Sequence, residues 1–223
     1  MTILKLVDVK YKYEGSNRYI LKDINIDFEK GKVYVIMGKT QSGKSTLLSM
    51  ISGLDNCTNG SIYYKNKELK NINKDIYRSK NVGIVFKENN LLNNASILDN
   101  ILLSINLTNK NNREKKEIAH KLLENFDIKK DDIKTKIIKL SDYEKKKISI
   151  IRALVNNPDI IIADDPTENF NEENEEYIME RLVDLANKYD KCVIIVTSSD
   201  IPALYASEIW GLVNGKLMFI KDL

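Results

Sequence analysis

The chain has 223 residues, 43% of them hydrophobic and 30% charged, with Lys+Arg 35 against Asp+Glu 32 for a formal net charge of +3. That composition excludes a disordered chain, and so small an imbalance argues against a nucleic-acid-binding surface. A single histidine excludes most His-based metal sites, and the isolated Cys57 and Cys192 suit a reducing compartment.

Residues 3–13 alternate apolar and polar side chains, and Ile20 to Phe28 does so again. Both predict antiparallel strands, with turns at Glu14-Gly15-Ser16 and Lys30-Gly31. Val33 to Met37 is a short apolar run of the kind a buried strand carries. A glycine-bearing loop follows, then a helix from about Lys44 to Ile51 that Gly53 ends. Ser61 to Tyr64 and Val82 to Phe86 read as further strands. From about Asn89 to Asn156 the pattern turns helical and charged, with helices expected over 112–125 and 141–154. Ile160 to Ala163 and Val193 to Val196 are buried strands flanking an acidic helix at roughly 172–188. A strand pair turning at Asn214-Gly215 closes the sequence. This alternation predicts an α/β fold, a mostly parallel sheet with helices on both faces. No apolar run approaches the 18 or so residues that span a bilayer, and the first residues do not read as a signal peptide.

Gly38-Lys39-Thr40-Gln41-Ser42-Gly43-Lys44-Ser45 fits G-x-x-x-x-G-K-[ST] at every fixed position, between a buried strand and a helix. The two glycines are expected to permit the backbone angles that curl N–H groups around phosphate oxygens. The following helix adds partial positive charge at its start. Lys44 is expected to reach the β- and γ-phosphates, and the Ser45 hydroxyl to ligate Mg²⁺. The expected nucleotide-binding run is therefore Gly38, Lys39, Thr40, Gln41, Ser42, Gly43, Lys44, Ser45 and Thr46. Asp164 ends an apolar strand, which puts its carboxylate at the sheet edge where ligands bind, suited to holding Mg²⁺. Asn187-Lys188-Tyr189-Asp190 spells N-K-x-D, but it follows a helix instead of a strand and reads as a polar turn, not a guanine reader. A small-molecule kinase would carry arginines in a lid, and residues 91–154 hold only Arg113 and Arg152.

From about Leu4 to Gly215 the chain resembles the ATP-binding cassette (ABC) ATPase family. The resemblance rests on Ile20-Leu21-Lys22-Asp23-Ile24, Gly53-Leu54-Asp55 and Asn59-Gly60 around the phosphate loop, and on Phe86-Lys87-Glu88-Asn89-Asn90-Leu91-Leu92 as a Q-loop segment. It also rests on Leu140-Ser141 with Ile148 to Leu154 as a signature helix, and on Asp164-Asp165-Pro166-Thr167 as a Walker B box. The flanking sequence is nearest the lipoprotein-release, macrolide-export and cell-division type. The resemblance implies a P-loop NTPase fold with a RecA-like core, an N-terminal antiparallel β region and an inserted α-helical subdomain. One domain would fill residues 1–223, with 1–88 and 157–223 as the nucleotide-binding core and 89–156 as the helical subdomain. It implies ATP and Mg²⁺ as cofactors, a membrane permease as partner, and a place on the cytoplasmic face of the membrane. It implies an ATP-dependent dimer, either a homodimer or a heterodimer with another cassette. An aromatic near the N-terminus would stack on adenine, Tyr13 first and Tyr11 next.

The family's hydrolytic positions are altered here. The signature reads Leu140-Ser141-Asp142-Tyr143-Glu144. Ser141 could still bond a γ-phosphate, but its glycines are gone and two acids are added. Like charges about 4 Å apart repel by roughly 4 kcal/mol at an effective dielectric near 20. Lys87 stands at the Q-loop glutamine position and Asn171 at the D-loop aspartate position. Asp165 holds the general-base position, one methylene short, and a misplacement of about 1 Å can cost about 100-fold in rate. Ser198 holds the switch-histidine position, and the only histidine, His120, lies on a charged helix where solvation is expected. The expectation is an ABC-type subunit that binds Mg·ATP and hydrolyses it weakly. A regulatory protein using ATP as a structural ligand is the alternative.

Overall fold

The computed structural model describes residues 1–105 and 112–222. In chain order the elements are β1 (Thr2–Tyr11), β2 (Leu21–Glu29), β3 (Val33–Met37), α1 (Lys44–Ile51), β4 (Asn59–Tyr64), β5 (Lys67–Glu68), α2 (Lys74–Lys80) and β6 (Val82–Val85). Then come α3 (Ile97–Ile105), α4 (Asn112–Asn125), α5 (Asp142–Leu154), β7 (Ile160–Asp164), α6 (Glu172–Asn187), β8 (Cys192–Thr197), β9 (Glu208–Val213) and β10 (Lys216–Asp222).

The strands form two sheets. The N-terminal one is four-stranded and antiparallel, in the order β2-β1-β4-β5. The other is six-stranded, in the order β10-β9-β3-β8-β7-β6. Within it β6, β7, β8, β3 and β9 run parallel, and β10 returns antiparallel to β9 through the Asn214-Gly215 turn. Asn-Gly suits such a turn because both residues tolerate positive φ.

Burial explains why the central strands read as continuous apolar runs. On β3, Tyr34 and Ile36 enter one core with Phe28, Leu47 and Ile51, while Val33 and Val35 enter a second with Ile148, Ile178 and Leu182. On β7, Ile160 and Ile162 enter the first core, and Ile161 and Ala163 the second. The first core lies between the two sheets around α1, and the second lies under α3, α5 and α6. Truncating a fully buried residue such as Ile162 to Ala removes contacts worth about 2–5 kcal/mol.

Two elements were not foreseen. Helix α2 has seven residues and is capped by Asn73, whose side chain accepts from the Asp75 and Ile76 N–H groups, both at 3.0 Å. Strand β5 has two residues and closes a hairpin with β4. The first strand also ends at Tyr11, earlier than its alternation suggested, so Tyr13 lies in a loop. The helical stretch expected over 89–156 contains α3, α4 and α5; residues 106–111 of it lie outside the described residues. Among the described residues no helix is long and apolar enough to cross a membrane.

The sheet register sets the site. Met37 pairs with Thr197, and Asp164 pairs with Val196. The carboxyl ends of β3, β8 and β7 therefore stand side by side. The loop after β3 is tied there by the Gly38 N–H donating to the Thr197 carbonyl at 3.1 Å. The Asp165 N–H likewise donates to the Val196 carbonyl at 2.9 Å.

Candidate functional site: a phosphate loop facing an acidic strand end

Residues 38–43 wrap from β3 into α1, and sequence and geometry agree on why the glycines are there, with one correction. Gly43 has φ 105 at the N-cap of α1, in the left-handed region. Gly38 does not lie in that region; its need is space. A Cβ there would sit 2.4 Å from Ser42 Oγ and 2.9 Å from the Leu212 carbonyl oxygen. The second left-handed residue of the loop is Gln41, at φ 67. The Ser42 N–H closes the turn onto the Lys39 carbonyl at 3.1 Å.

Lys44 is nearly buried, and its ammonium donates to the carbonyls of Gly38 at 2.6 Å and Lys39 at 3.2 Å. The cation is thus held within its own loop. Ser45 Oγ donates to Asp164 Oδ2 at 3.4 Å, across from the end of β7. Thr46 Oγ1 lies 3.4 Å from the Tyr13 hydroxyl. Thr40, Gln41, Gly43, Lys44, Ser45 and Thr46 all line one cavity of about 380 Å³, and Tyr13 and Asp164 border it too. Lys39 and Ser42 do not; they face an adjoining hollow with Arg18 and Tyr19. Tyr13 is 54% exposed, whereas Tyr11 is 8% exposed and donates its hydroxyl to Asp55 Oδ2 at 2.6 Å. That bond, with burial, pushes the Tyr11 phenol up to about 12. Of the two tyrosines, only Tyr13 borders the cavity.

The acidic side of the cavity is more heavily paired than sequence suggested. Burial, then repulsion from Asp165, raises the Asp164 carboxyl above the usual range. Asp165 is buried with φ 41, and its Oδ1 accepts from the Ser198 N–H at 3.0 Å. Its Oδ2 stands 3.7 Å from the Lys87 ammonium. Lys87 in turn donates to Glu168 Oε1 at 2.8 Å, a bond that raises its pKa. Glu168 was not singled out from sequence, nor was Lys146. Lys146 is 4% exposed on α5 and donates to the carbonyls of Phe86 at 2.9 Å and Lys87 at 3.0 Å. Burial pushes its pKa down to about 8, partly offset by Asp164, Glu168, Glu88 and Asp165.

Ser45 and Asp164 offer a hydroxyl and a carboxylate, the hard oxygen donors that Mg²⁺ prefers, and a cation there would relieve the Asp164–Asp165 repulsion. Among the described residues no group of three or more His, Cys, Asp or Glu could hold a metal ion. The pair therefore fits a cation that takes its remaining oxygens from phosphates and water.

The family model for ABC transporters matches residues 21–168, from the start of β2 through the loop, α5 and the acidic strand end. The chain belongs to the ABC transporter family. It is 36% identical over 200 residues to the uncharacterized ABC transporter ATP-binding protein YclH of Bacillus subtilis, covering 90% of this chain and 88% of that one. It is 31% identical over 216 residues to the lipoprotein-releasing system ATP-binding protein LolD of Buchnera aphidicola, covering 92% and 94%. Among solved structures it superposes on the ATP-binding cassette MJ0796, in a dimeric post-hydrolysis state bound to ADP and Pi, with a TM-score of 0.88. That match is 28% identical and covers 99% of this chain and 100% of the other. The fold is that of an ABC cassette, and the chain is an ABC transporter ATP-binding subunit.

The other residues that sequence singles out lie outside this cavity. Ser141 is the N-cap of α5 and forms a reciprocal capping box with Glu144. Its hydroxyl donates to Glu144 Oε2 at 2.7 Å and its N–H donates to the same oxygen at 2.8 Å. Ser141 does not line the cavity of Lys44. Asn171 caps α6, its side chain accepting from the Asn174 N–H at 3.1 Å. Asn187 ends α6, and Lys188 to Asp190 lead from it towards β8. His120 is half-buried and lines a separate hollow with Leu123 and Asp127.

Proposed function

We propose that this subunit binds Mg·ATP through the loop of residues 38–46 and turns it over slowly when alone. The observation that carries the reading is the convergence of Lys44, Ser45 and Asp164 on one cavity at the carboxyl ends of β3 and β7. In this reading Lys44 leaves its loop carbonyls for the β- and γ-phosphates, and the N–H groups of Thr40, Gln41 and Gly43 to Thr46 take phosphate oxygens. Tyr13 stacks against adenine at the cavity rim. Mg²⁺ held by Ser45 and Asp164 would neutralise phosphate charge.

Slow turnover is supported by how the reactive groups are tied. Asp165 would have to accept a proton from water, yet one of its oxygens accepts from Ser198 N–H and the other faces Lys87. Ser198 offers no imidazole. Ser141 reaches a nucleotide on a second cassette only by giving up its bond to Glu144. The proposed assembly is a dimer, with itself or with another cassette, bound to a membrane permease at the cytoplasmic face. Within it residues 1–88 and 157–223 act as the nucleotide core, and 89–156 as the helical part that meets the permease. The test is ATP affinity and phosphate release measured side by side, with and without a co-expressed permease. Binding with little release from the subunit alone supports the reading, and lack of ATP binding in magnesium refutes it.

A further inference from the structure

The cavity contains a charge that the proposed chemistry does not use. Besides Lys44, the ammonium of Lys87 enters it, 2.8 Å from Glu168 and 3.7 Å from Asp165. Its position is not left to a flexible stem alone. The carbonyl of Lys87 accepts from buried Lys146, that of Phe86 does so as well, and Arg152 holds the carbonyls of Asn89 and Asn90. Helix α5 therefore fixes the backbone from which the Lys87 side chain projects. Without Lys87, the carboxylates of Asp164, Asp165 and Glu168 would face an incoming polyphosphate with Lys44 as the other cation lining the cavity. Neutralising those carboxylates and the phosphates is the task a divalent cation performs in such a site.

We infer that Lys87 is a resident cation of the nucleotide site, held ready by Glu168, that lets the site take a nucleoside triphosphate without a divalent metal. On binding, the Lys87 ammonium passes from Glu168 to a phosphate oxygen, exchanging one charge-assisted bond for another. Its half-exposed position permits that movement. The inference rests on the proposed ATP binding, and it makes Lys87 a specificity-determining residue for the metal-free ligand.

The test is equilibrium binding of ATP to the purified full chain, in Mg²⁺ and in EDTA, for the native protein, Lys87→Gln, Lys87→Arg and Glu168→Gln. Native protein should lose no more than about threefold in affinity on removing metal, and Lys87→Gln should lose about tenfold or more, the usual effect of deleting a charged hydrogen bond. Lys87→Arg should behave as native, because it keeps the charge. Glu168→Gln should tighten metal-free binding by freeing the ammonium. An equal metal dependence in native protein and Lys87→Gln overturns this inference and leaves the proposed function standing. Absence of ATP binding in Mg²⁺ as well removes both.

Discussion

Lys146→Met separates a buried charge from everything else that titrates near it. In the folded chain Lys146 has a pKa of about 8 against an ordinary 10.5, with burial as the leading cause. Below pH 8 both folded and unfolded states bind the proton, and the folded state carries the full cost of the buried ammonium. Between about pH 8 and 10.5 the unfolded state binds the proton and the folded state does not, so this group makes the protein more stable as pH rises. At 1.36 kcal/mol per unit, the rise between pH 7.5 and 9.5 is about 2 kcal/mol. For a chain of this size that is a shift of roughly 4–8 °C in melting temperature. Other groups are shifted as well: burial lowers the Lys147 and Lys191 ammonium values and raises that of the Cys57 thiol. The quantity to measure is therefore the difference in Tm between native protein and Lys146→Met at each pH, by calorimetry in matched buffers. The native protein should gain on the variant by those few degrees as pH rises. Parallel curves would refute the assignment of a buried, titrating Lys146.

Three further outcomes follow from the geometry. Gly38→Ala places a methyl 2.4 Å from Ser42 Oγ and 2.9 Å from a backbone oxygen, so urea unfolding should show a loss of about 1–3 kcal/mol, with ATP affinity lost as well. Ser141→Ala removes the capping box of α5 and should cost about 1 kcal/mol in the same assay, without affecting ATP binding to the isolated subunit. Asp165→Glu combined with Ser198→His should raise phosphate release, yet only partly, because the Ser141–Glu144 cap remains. Full cassette turnover in that double variant would contradict the role given to the cap.

Much of the site was legible because it is local. The β3–loop–α1 unit is contiguous in sequence, and the motif carries its own chemistry. The Asn214-Gly215 hairpin was legible for the same reason. Helix α2 was missed because seven residues show too little periodicity, although Asn73 before an acidic first turn was a usable start signal. Glu168 was missed because its partner Lys87 lies 81 residues away in sequence. Lys146 sits in a run of lysines that resembles a solvated face, and only the packing of α5 against the segment after β6 buries it. Set beside a phosphate, Glu144 looks in sequence like a repelling charge. Ser141-x-x-Glu144 also spells a capping box, a local reading that was available and that the structure realises.

At the heart of the proposed function lies ATP binding without comparable turnover by the subunit alone. The most direct measurement is a single preparation of the full chain, assayed for equilibrium ATP binding and for steady-state phosphate release in the same magnesium buffer. Saturable binding that Lys44→Ala abolishes is expected, with phosphate release near the background. Release on the order of 1 s⁻¹ or faster, within the ordinary range of enzyme turnover, would contradict it.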